Sequence, residues 1–262
     1  MPEGDTIWRT ARTLRTALRG RTVHDVKTEM AGLEEAGLQG LHVRDVESRG
    51  KNLLLWFSDR RALYTHMRMT GSWHVYRCGE PWRRPLRQAN VAITTDQHVA
   101  VCFNAPVVQL LTELGVKRHR TLSRLGPDLL SELPDFEDMT RRSRRRDAQA
   151  VGEVLMCQDV ACGIGNVYKS ETLFLEGVSP FVKIRDLSPE RLRATLERAR
   201  ALMLQNLTGY PRTTRFPSRG SRYWVYGRRG ELCHRCSDEV RMSRQGESGR
   251  STYWCPQCQP PA

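Results

Sequence analysis

Two cysteine pairs near the end of the chain constrain its folding more than any other feature. Eighteen residues separate the pairs, which are Cys233 with Cys236 and Cys255 with Cys258. Each pair turns the chain so that both sulfurs can face one metal ion, and four thiolates complete a tetrahedron that leaves no position for water. The surrounding tail is too short to fold on a hydrophobic core. We therefore expect one structural Zn²⁺ that holds a β-hairpin over residues 227–262, rather than a redox pair or two chance motifs.

The first half of the 262-residue chain has the periodicity of short strands. An amphipathic helix is predicted from Glu3 to Arg19, because Ile7, Ala11 and Leu14 fall on one stripe at helical spacing. The stretches that follow are alternating or β-branched and are separated by Gly, Asp or Pro, which is typical of an antiparallel sandwich or barrel. These predicted strands lie at 22–29, 41–48, 53–58, 62–69, 72–76, 90–95 and 99–104.

The second half has a helical pattern. Helices are predicted at 137–157, 166–177 and 188–207, the last opened by Ser188 and Pro189. The sequence therefore predicts an α+β protein with two domains. We expect a strand-rich domain at 1–128, a linker at 129–136, a helical domain with a basic loop at 137–226, and the cysteine hairpin at 227–262.

The charge of the chain indicates the class of its partner. A net charge of +13 favours a polyanion, and nucleic acid in particular, over a surface that is merely solubilising. An anionic membrane is a weaker candidate because no basic amphipathic helix is flanked by aromatic residues. No apolar run approaches 18 residues and the first residues are not apolar, so we expect no membrane span, no signal peptide and a cytoplasmic location. Nothing in the sequence indicates an oligomer, and a monomer is expected.

A glycine-rich turn precedes the second predicted helix of this half. It reads Gly163-Ile164-Gly165-Asn166, and the helix continues as Val-Tyr-Lys-Ser-Glu. Two glycines permit a tight turn, and the free amides at the start of a helix can hold a phosphate. The same residues also suit an ordinary corner between helices, with Asn166 as a cap. Both interpretations remain open from this motif alone.

Two further turns carry basic side chains. Lys51 follows Arg49 and Gly50 between two predicted strands, and taken alone it is a solvated turn lysine. Met69 lies beside Arg68 at another strand end. An exposed methionine there could insert between bases, whereas a core methionine is the more common case.

These motifs together resemble the Fpg/Nei family of DNA glycosylases. They occur in the family's order as MPEGDT at the start, RGKNLL at 49–54, GIGNVYKSE at 163–171 and the four-cysteine tail. The MPEGDT start is more similar to endonuclease VIII (Nei) than to formamidopyrimidine-DNA glycosylase (Fpg). The resemblance implies an N-terminal β-sandwich with flanking helices, a C-terminal helix–two-turn–helix (H2TH) domain and a β-hairpin zinc finger.

Two departures from family patterns concern the residues that face the DNA. Fpg proteins carry an Arg-Arg-Phe-Gly segment late in the first domain, where this chain has Phe103-Asn104-Ala105-Pro106. The best-known Nei pattern has Gln-Leu-Tyr where this chain has Arg68-Met69-Thr70. The first departure favours a Nei-like protein, and the second leaves the preferred opposite base open.

The resemblance also implies a covalent mechanism at the chain start. Once Met1 is removed, the secondary amine of Pro2 can attack C1′ of a damaged nucleotide and form a Schiff base. An α-amine has a pKa of about 7.8, against about 10.4 for lysine, so it is a better nucleophile at neutral pH. Glu3 would protonate the sugar ring oxygen, and Lys51 would contact the neighbouring phosphate or polarise the sugar. Without the family, Pro2 and Glu3 would only suit the first turn of a helix.

The same resemblance implies a DNA-binding set. Asn166 and Arg250 resemble the family's phosphate ligands, and Lys169 belongs to the same motif. Arg68 and Met69 would fill the stack vacated by the extruded base. The arginine-rich segment 209–222 resembles the loop that covers this base.

The resulting hypothesis is a bifunctional DNA glycosylase and AP lyase. It would excise oxidised pyrimidines from double-stranded DNA, act on abasic sites and cleave by β,δ-elimination. Fpg-type activity on oxidised purines and a catalytically silent binder of damaged DNA are the alternatives.

Overall fold

A computed structural model describes residues 2–30, 32–33, 35–209, 211–216 and 220–261 of the protein. Contacts between Cα atoms divide the chain into two compact units, residues 1–123 and 124–262. Within the described residues, every helix is too short or too polar to cross a membrane.

The first unit begins with helix α1 (Gly4–Leu18), which confirms the helix predicted at the start of the chain. Ile7, Ala11 and Leu14 form its buried stripe. The helix ends where Gly20 adopts a positive φ of 78°, a conformation that glycine enters without steric cost.

Two four-stranded antiparallel sheets follow and confirm the predicted sandwich. In chain order the strands are β1 (Asp25–Lys27), β2 (Val43–Arg49), β3 (Asn52–Phe57), β4 (Ala62–His66), β5 (Ser72–Arg77), β6 (Ala89–Thr94), β7 (His98–Phe103) and β8 (Val107–Leu111). The first sheet has the strand order β2-β3-β4-β8 and the second β1-β6-β7-β5. One buried core unites them, since Leu55 of β3, Ile93 of β6 and Leu14 of α1 belong to the same cluster.

Two elements of this unit were not predicted. Strand β8 pairs with β4 and completes the first sheet, and its apolar run lacks the alternation that marks the other strands. Helix α2 (Glu113–Arg118) follows directly, and the Thr112 side chain caps it by accepting from the Gly115 amide at 3.0 Å.

The described residues of the second unit form four further α-helices. They are α3 (Phe136–Arg144), α4 (Val151–Val154), α5 (Asn166–Leu175) and α6 (Pro189–Gln205). Helices α5 and α6 confirm the predicted pair, and Ser188 caps α6 as expected by accepting from the Arg191 amide at 3.2 Å. A shared apolar core joins α3, α4, α5 and α6.

The prediction of one continuous helix over 137–157 is wrong, because the chain breaks between α3 and α4. The Arg144 guanidinium donates to the carbonyls of Ile184, at 2.6 Å, and Leu187. Beyond the break, the amide of Val151 donates to the carbonyl of Val182 at 2.8 Å. The Val151 bond replaces one that the backbone of a continuous helix would make, and the Arg144 side chain attaches the end of α3 to the same distant segment.

The chain ends in the predicted β-hairpin. Strands β9 (Arg241–Gln245) and β10 (Arg250–Trp254) are antiparallel, and Arg250 lies opposite Gln245 at the tip. Residues 220–230, which precede the hairpin, form bends and turns.

Candidate functional site

The chain start is fixed by helix α1. The carbonyl of Glu3 accepts from the amides of Thr6, at 2.9 Å, and Ile7, at 3.1 Å, so the helix begins immediately after Pro2. The Glu3 side chain is fully buried, and Pro2 is partly exposed. A glutamate can interact with the helix dipole while it is exposed to solvent, and burial of its carboxylate costs free energy. Interaction with the dipole alone therefore does not account for the burial of Glu3. Met1 lies outside the described residues.

Lys51 lies at the tight turn between β2 and β3. Gly50 is buried there with a φ of +57°, which favours glycine. Asn52 fixes the turn, because its Nδ2 donates to the Arg49 carbonyl and its Oδ1 accepts from the hydroxyl of Tyr64, both at 2.9 Å. Burial raises the pKa of Tyr64 to about 12, so the tyrosine keeps the proton that it donates.

His66 connects the turn of Lys51 to the next turn of the sheet. Burial lowers the pKa of His66, and the positive charges of Arg68 and Lys51 lower it further. Its neutral Nδ1 accepts from the amide of Arg68 at 3.2 Å. Two cations predicted from separate motifs therefore lie close to one neutral imidazole.

The turn that holds Arg68 and Met69 is built around close backbone contact. Arg68 has a φ of +44°, uncommon for a residue with a side chain. A Cβ on Gly71 would lie 2.8 Å from the Met67 backbone and 2.9 Å from the Ala105 Cα, so only glycine fits. Met67 is buried, whereas Met69 is 62% exposed. The exposed position of Met69 excludes the core role that was the alternative for it.

The predicted glycine turn before α5 is also present. Gly163 has a φ of +112°, and its amide donates to the side chain of Gln158 at 3.0 Å. Asn166 is the first residue of the helix and is 4% exposed. Its Nδ2 lies 3.3 Å from the Ser251 hydroxyl, while its Oδ1 has no hydrogen-bond partner among the described residues.

Lys169 links this helix to the hairpin. Its side chain is 1% exposed, and its ammonium donates to the Ser251 carbonyl at 3.1 Å and to the Thr252 hydroxyl at 2.7 Å. The Ser170 hydroxyl accepts from the Tyr253 amide at 3.3 Å. Because Ser251 follows the exposed Arg250, these bonds place Asn166 and Arg250 in one assembly. The arrangement gives Lys169 a buried structural contact, which its place in the GIGNVYKSE motif does not predict.

Glu171 is a second buried charge that sequence analysis did not assign. Its carboxylate accepts from three successive amides, those of Trp224 at 2.8 Å, Val225 at 2.9 Å and Tyr226 at 2.7 Å. The Thr214 hydroxyl donates to it as well. Burial raises the pKa of Glu171, and these hydrogen bonds oppose the rise. Glu171 and Lys169 are the two charged residues of α5, and this was the one available signal.

The carboxylate of Glu171 therefore holds both sides of the arginine-rich segment. Arg212 lies over the Tyr168 ring at 5.1 Å, and Arg215 lies over the Trp224 ring at 5.6 Å. The loop predicted at 209–222 includes Tyr210 and 217–219, which lie outside the described residues.

The four tail cysteines come together as predicted. All their sulfurs lie within 4.8 Å of one another, with Cys233 and Cys258 at 3.9 Å and Cys236 and Cys255 at 3.4 Å. Four sulfurs around a tetrahedral Zn²⁺ with bonds of about 2.3 Å would be separated by about 3.8 Å. The donor set and its spacing therefore fit one zinc ion.

Comparisons with protein families match both units. The family model described as the formamidopyrimidine-DNA glycosylase N-terminal domain matches residues 1–107. The model described as the H2TH domain of the same glycosylase matches residues 125–217.

Curated relatives are similar over nearly the whole chain. A probable endonuclease 8 2 of Streptomyces coelicolor is 38% identical, over 99% of this chain and 94% of the relative. A protein of Mycolicibacterium smegmatis named DNA-(apurinic or apyrimidinic site) lyase Nei2 is 35% identical over 99% of both chains. An endonuclease 8 of Escherichia coli is 33% identical, over 99% of this chain and all of the relative.

Solved structures share the fold. The Lactococcus lactis formamidopyrimidine-DNA glycosylase, non-covalently bound to DNA with an abasic site, has a TM-score of 0.83 at 20% identity, over 99% of this chain and 100% of that chain. A MutM in complex with DNA that contains carbocyclic 8-oxoguanine has a TM-score of 0.83 at 21% identity, with the same coverage.

Proposed function

This chain belongs to the formamidopyrimidine-DNA glycosylase family, and from this premise we propose how it acts as a bifunctional DNA glycosylase and AP lyase of base excision repair. Oxidised pyrimidines in double-stranded DNA are the proposed substrates, since the relatives at 33–38% identity are named endonuclease 8 or Nei2. The observation that carries the proposal is the fully buried Glu3 directly after Pro2 at the start of α1.

Pro2 is the proposed nucleophile. After removal of Met1, its nitrogen lone pair bonds to C1′ while the bond from C1′ to the base breaks and the base leaves with a proton. Glu3 gives a proton to the ring oxygen, the sugar opens, and the amine loses its proton to form an iminium. Loss of a C2′ proton expels the 3′ phosphate, and a second elimination expels the 5′ phosphate. Water then hydrolyses the iminium and restores the amine.

Lys51 supplies the positive charge of this site. Asn52 and Tyr64 fix the turn between β2 and β3, so the backbone from which the Lys51 side chain extends has a defined position. A phosphate beside the lesion, or the sugar oxygen, would be its partner. The lowered pKa of His66 keeps the imidazole neutral beside it. A neutral His66 adds no third cation that would compete for the same phosphate.

The second unit provides the proposed grip on the DNA backbone. Asn166 at the start of α5 and the exposed Arg250 at the hairpin tip would contact phosphates. One Zn²⁺ held by the four cysteines would fix the hairpin that carries Arg250. Arg68 and the exposed Met69 would enter the vacated stack. Because such a substrate is genomic DNA, the proposed place of action is the cytoplasm.

Borohydride trapping on abasic DNA tests the amine mechanism. The protein with Met1 removed should form a covalent adduct, because borohydride reduces the iminium to a stable amine. Pro2→Gly keeps a terminal amine but should lower the adduct yield. A form that retains Met1 should give no adduct. Absence of adduct from the processed wild type, or an undiminished adduct when Met1 is retained, would contradict the mechanism and favour a silent DNA binder.

Substrate comparison tests the proposed lesion class. Duplexes with thymine glycol and with 8-oxoguanine opposite cytosine are cleaved in parallel by the same preparation. Faster cleavage of thymine glycol supports the proposal. A clear preference for 8-oxoguanine would assign the chain to Fpg-type activity instead.

A further inference from the structure

One exposed leucine lies on the connection between β5 and β6. Leu86 opens a 3-10 turn (Leu86–Gln88) and is 63% exposed. Among the described residues of the first unit, only Met69, Leu86 and Leu114 are large hydrophobic residues with this degree of exposure. A single exposed leucine is ordinary on a protein surface, and what distinguishes Leu86 is the ordered and basic segment that carries it.

The connection that carries Leu86 is firmly attached to the sheet. The Trp82 ring stacks on Tyr76 with centroids 6.3 Å apart and meets Phe103 edge-on at 6.0 Å. The Arg83 amide donates to the Tyr76 hydroxyl at 3.1 Å. Leu86 is therefore held outward by an ordered segment, and its side chain loses little further entropy when a partner covers it.

Hydrogen bonds also join the Leu86 turn to the turn of Met69. The Asn104 amide donates to the Gln88 carbonyl at 2.9 Å, and its side chain reaches the Gln88 side chain at 3.3 Å. The Asn104 carbonyl accepts from the Thr70 hydroxyl at 3.0 Å. Asn104, with a φ of +49°, thus bridges two turns that each present one exposed apolar side chain.

The charge around Leu86 favours a polyanion as the occupant of this surface. Arg83, Arg84 and Arg87 lie within four residues of it, and residues 81–95 include no aspartate or glutamate. An apolar tip surrounded by arginines suits the base stack and phosphates of DNA, whereas a protein surface would need matching acidic groups. The same combination, Arg68 with Met69, occurs on the neighbouring turn.

We propose that Leu86 is a second apolar wedge, which contacts the strand opposite the damaged nucleotide while Met69 enters the damaged strand. This inference rests on the proposed glycosylase function. Extrusion of one nucleotide disturbs two stacks, the vacated position and that of the unpaired partner base. The turn of Met69 presents one exposed apolar side chain, for the damaged strand. Leu86, on a separate connection, presents a second one for the opposite strand.

The test compares Leu86→Ala with Leu114→Ala. Leu114 is 53% exposed and follows the end of β8 that pairs with Ala62, away from the His66 end that leads to Met69. Each variant is assayed for cleavage of an abasic duplex with each of the four opposite bases, and for borohydride trapping on the same abasic strand without a complement. Thermal unfolding controls for folding.

We expect Leu86→Ala to lower kcat/KM on the duplex about five-fold or more, as expected when a side chain that stacks on a base is removed, and to flatten the dependence on the opposite base. Leu114→Ala should match wild type. An equal loss on duplex and single strand, or no loss on the duplex, would overturn the assignment of Leu86 to the opposite strand. Where single strands give no adduct even with wild type, a flattened opposite-base dependence decides in favour and an unchanged one against. No wild-type adduct on any substrate would instead overturn the glycosylase proposal itself.

Discussion

The buried ammonium of Lys169 donates to the Thr252 hydroxyl at 2.7 Å and thereby joins helix α5 to strand β10. This bond couples the two proposed phosphate contacts of the second unit, because Asn166 begins that helix and Arg250 begins that strand. Experiments can distinguish whether Lys169 supports the phosphate contacts of Asn166 and Arg250 or contacts a phosphate itself.

Replacement of Lys169 by methionine should weaken the hairpin attachment. The Thr252 hydroxyl and the Ser251 carbonyl would lose a charged partner, at a cost of about 2 kcal/mol in the free energy of unfolding of the second unit. DNA affinity should fall, and the slope of log affinity against log salt should stay as in wild type. Chemical denaturation and binding titrations at several salt concentrations measure both effects.

The exposed Lys183 provides the control for this variant. Lys183→Met should leave the stability of the second unit unchanged. If Lys169→Met instead preserves stability and reduces the salt slope by about 0.9, then Lys169 contacts a phosphate directly.

Replacement of Glu3 by glutamine should abolish most base excision. The amide keeps the size of the buried side chain but cannot protonate the sugar oxygen, and general acid catalysis contributes about 10² to 10⁴ in rate. Single-turnover excision of thymine glycol is the measurement. The exposed Glu29, changed to glutamine, should behave as wild type. Retention of full activity by Glu3→Gln would leave the carboxyl with only a structural role.

Zinc removal should release the hairpin while the first unit stays folded. Purified protein should contain one zinc per chain, and Cys255→Ser should lower this content and weaken DNA binding about ten-fold or more, because Arg250 loses its fixed position. Metal analysis and binding assays provide the readouts. Cys78→Ser, which lies outside the cluster, is the control. Normal binding by a zinc-free variant would show the hairpin to be dispensable.

Acidification should destabilise the first unit through His66. Its folded pKa lies below its ordinary value of 6.5 because of burial and the charges of Arg68 and Lys51. The unfolded chain therefore binds more protons than the folded chain between the two pKa values, so stability is complete above pH 6.5 and falls as the pH drops through the folded pKa.

Thermal unfolding at pH 7.5 and 5.5 measures this effect. His66→Gln should reduce the fall in Tm between the two values by about 3 °C. The pKa of His74 is also lowered, but His74 is present in both wild type and His66→Gln. The difference between their falls in Tm therefore reports on His66 alone. The exposed His24, changed to glutamine, should leave the fall unchanged. An equal fall in His66→Gln and wild type would remove His66 as the cause.

The sequence predicts those parts of the fold that are determined by residues close to one another in the chain. Helix α1, seven strands, the glycine turn and the metal cluster follow from periodicity, turn chemistry and ligand spacing. The break between α3 and α4 does not, because Arg144 bonds to a segment 40 or more residues away. The buried partners of Lys169 and Glu171 lie 83 and 54 residues away, and no local pattern marks such contacts.

The carboxylate of Glu171 has a consequence for how this protein can change. Thr214 and Trp224, on the two sides of the arginine-rich segment, are both tied to one side chain. One substitution at Glu171 would therefore release both ends of this segment together, whereas a substitution at Thr214 would remove only one of the contacts.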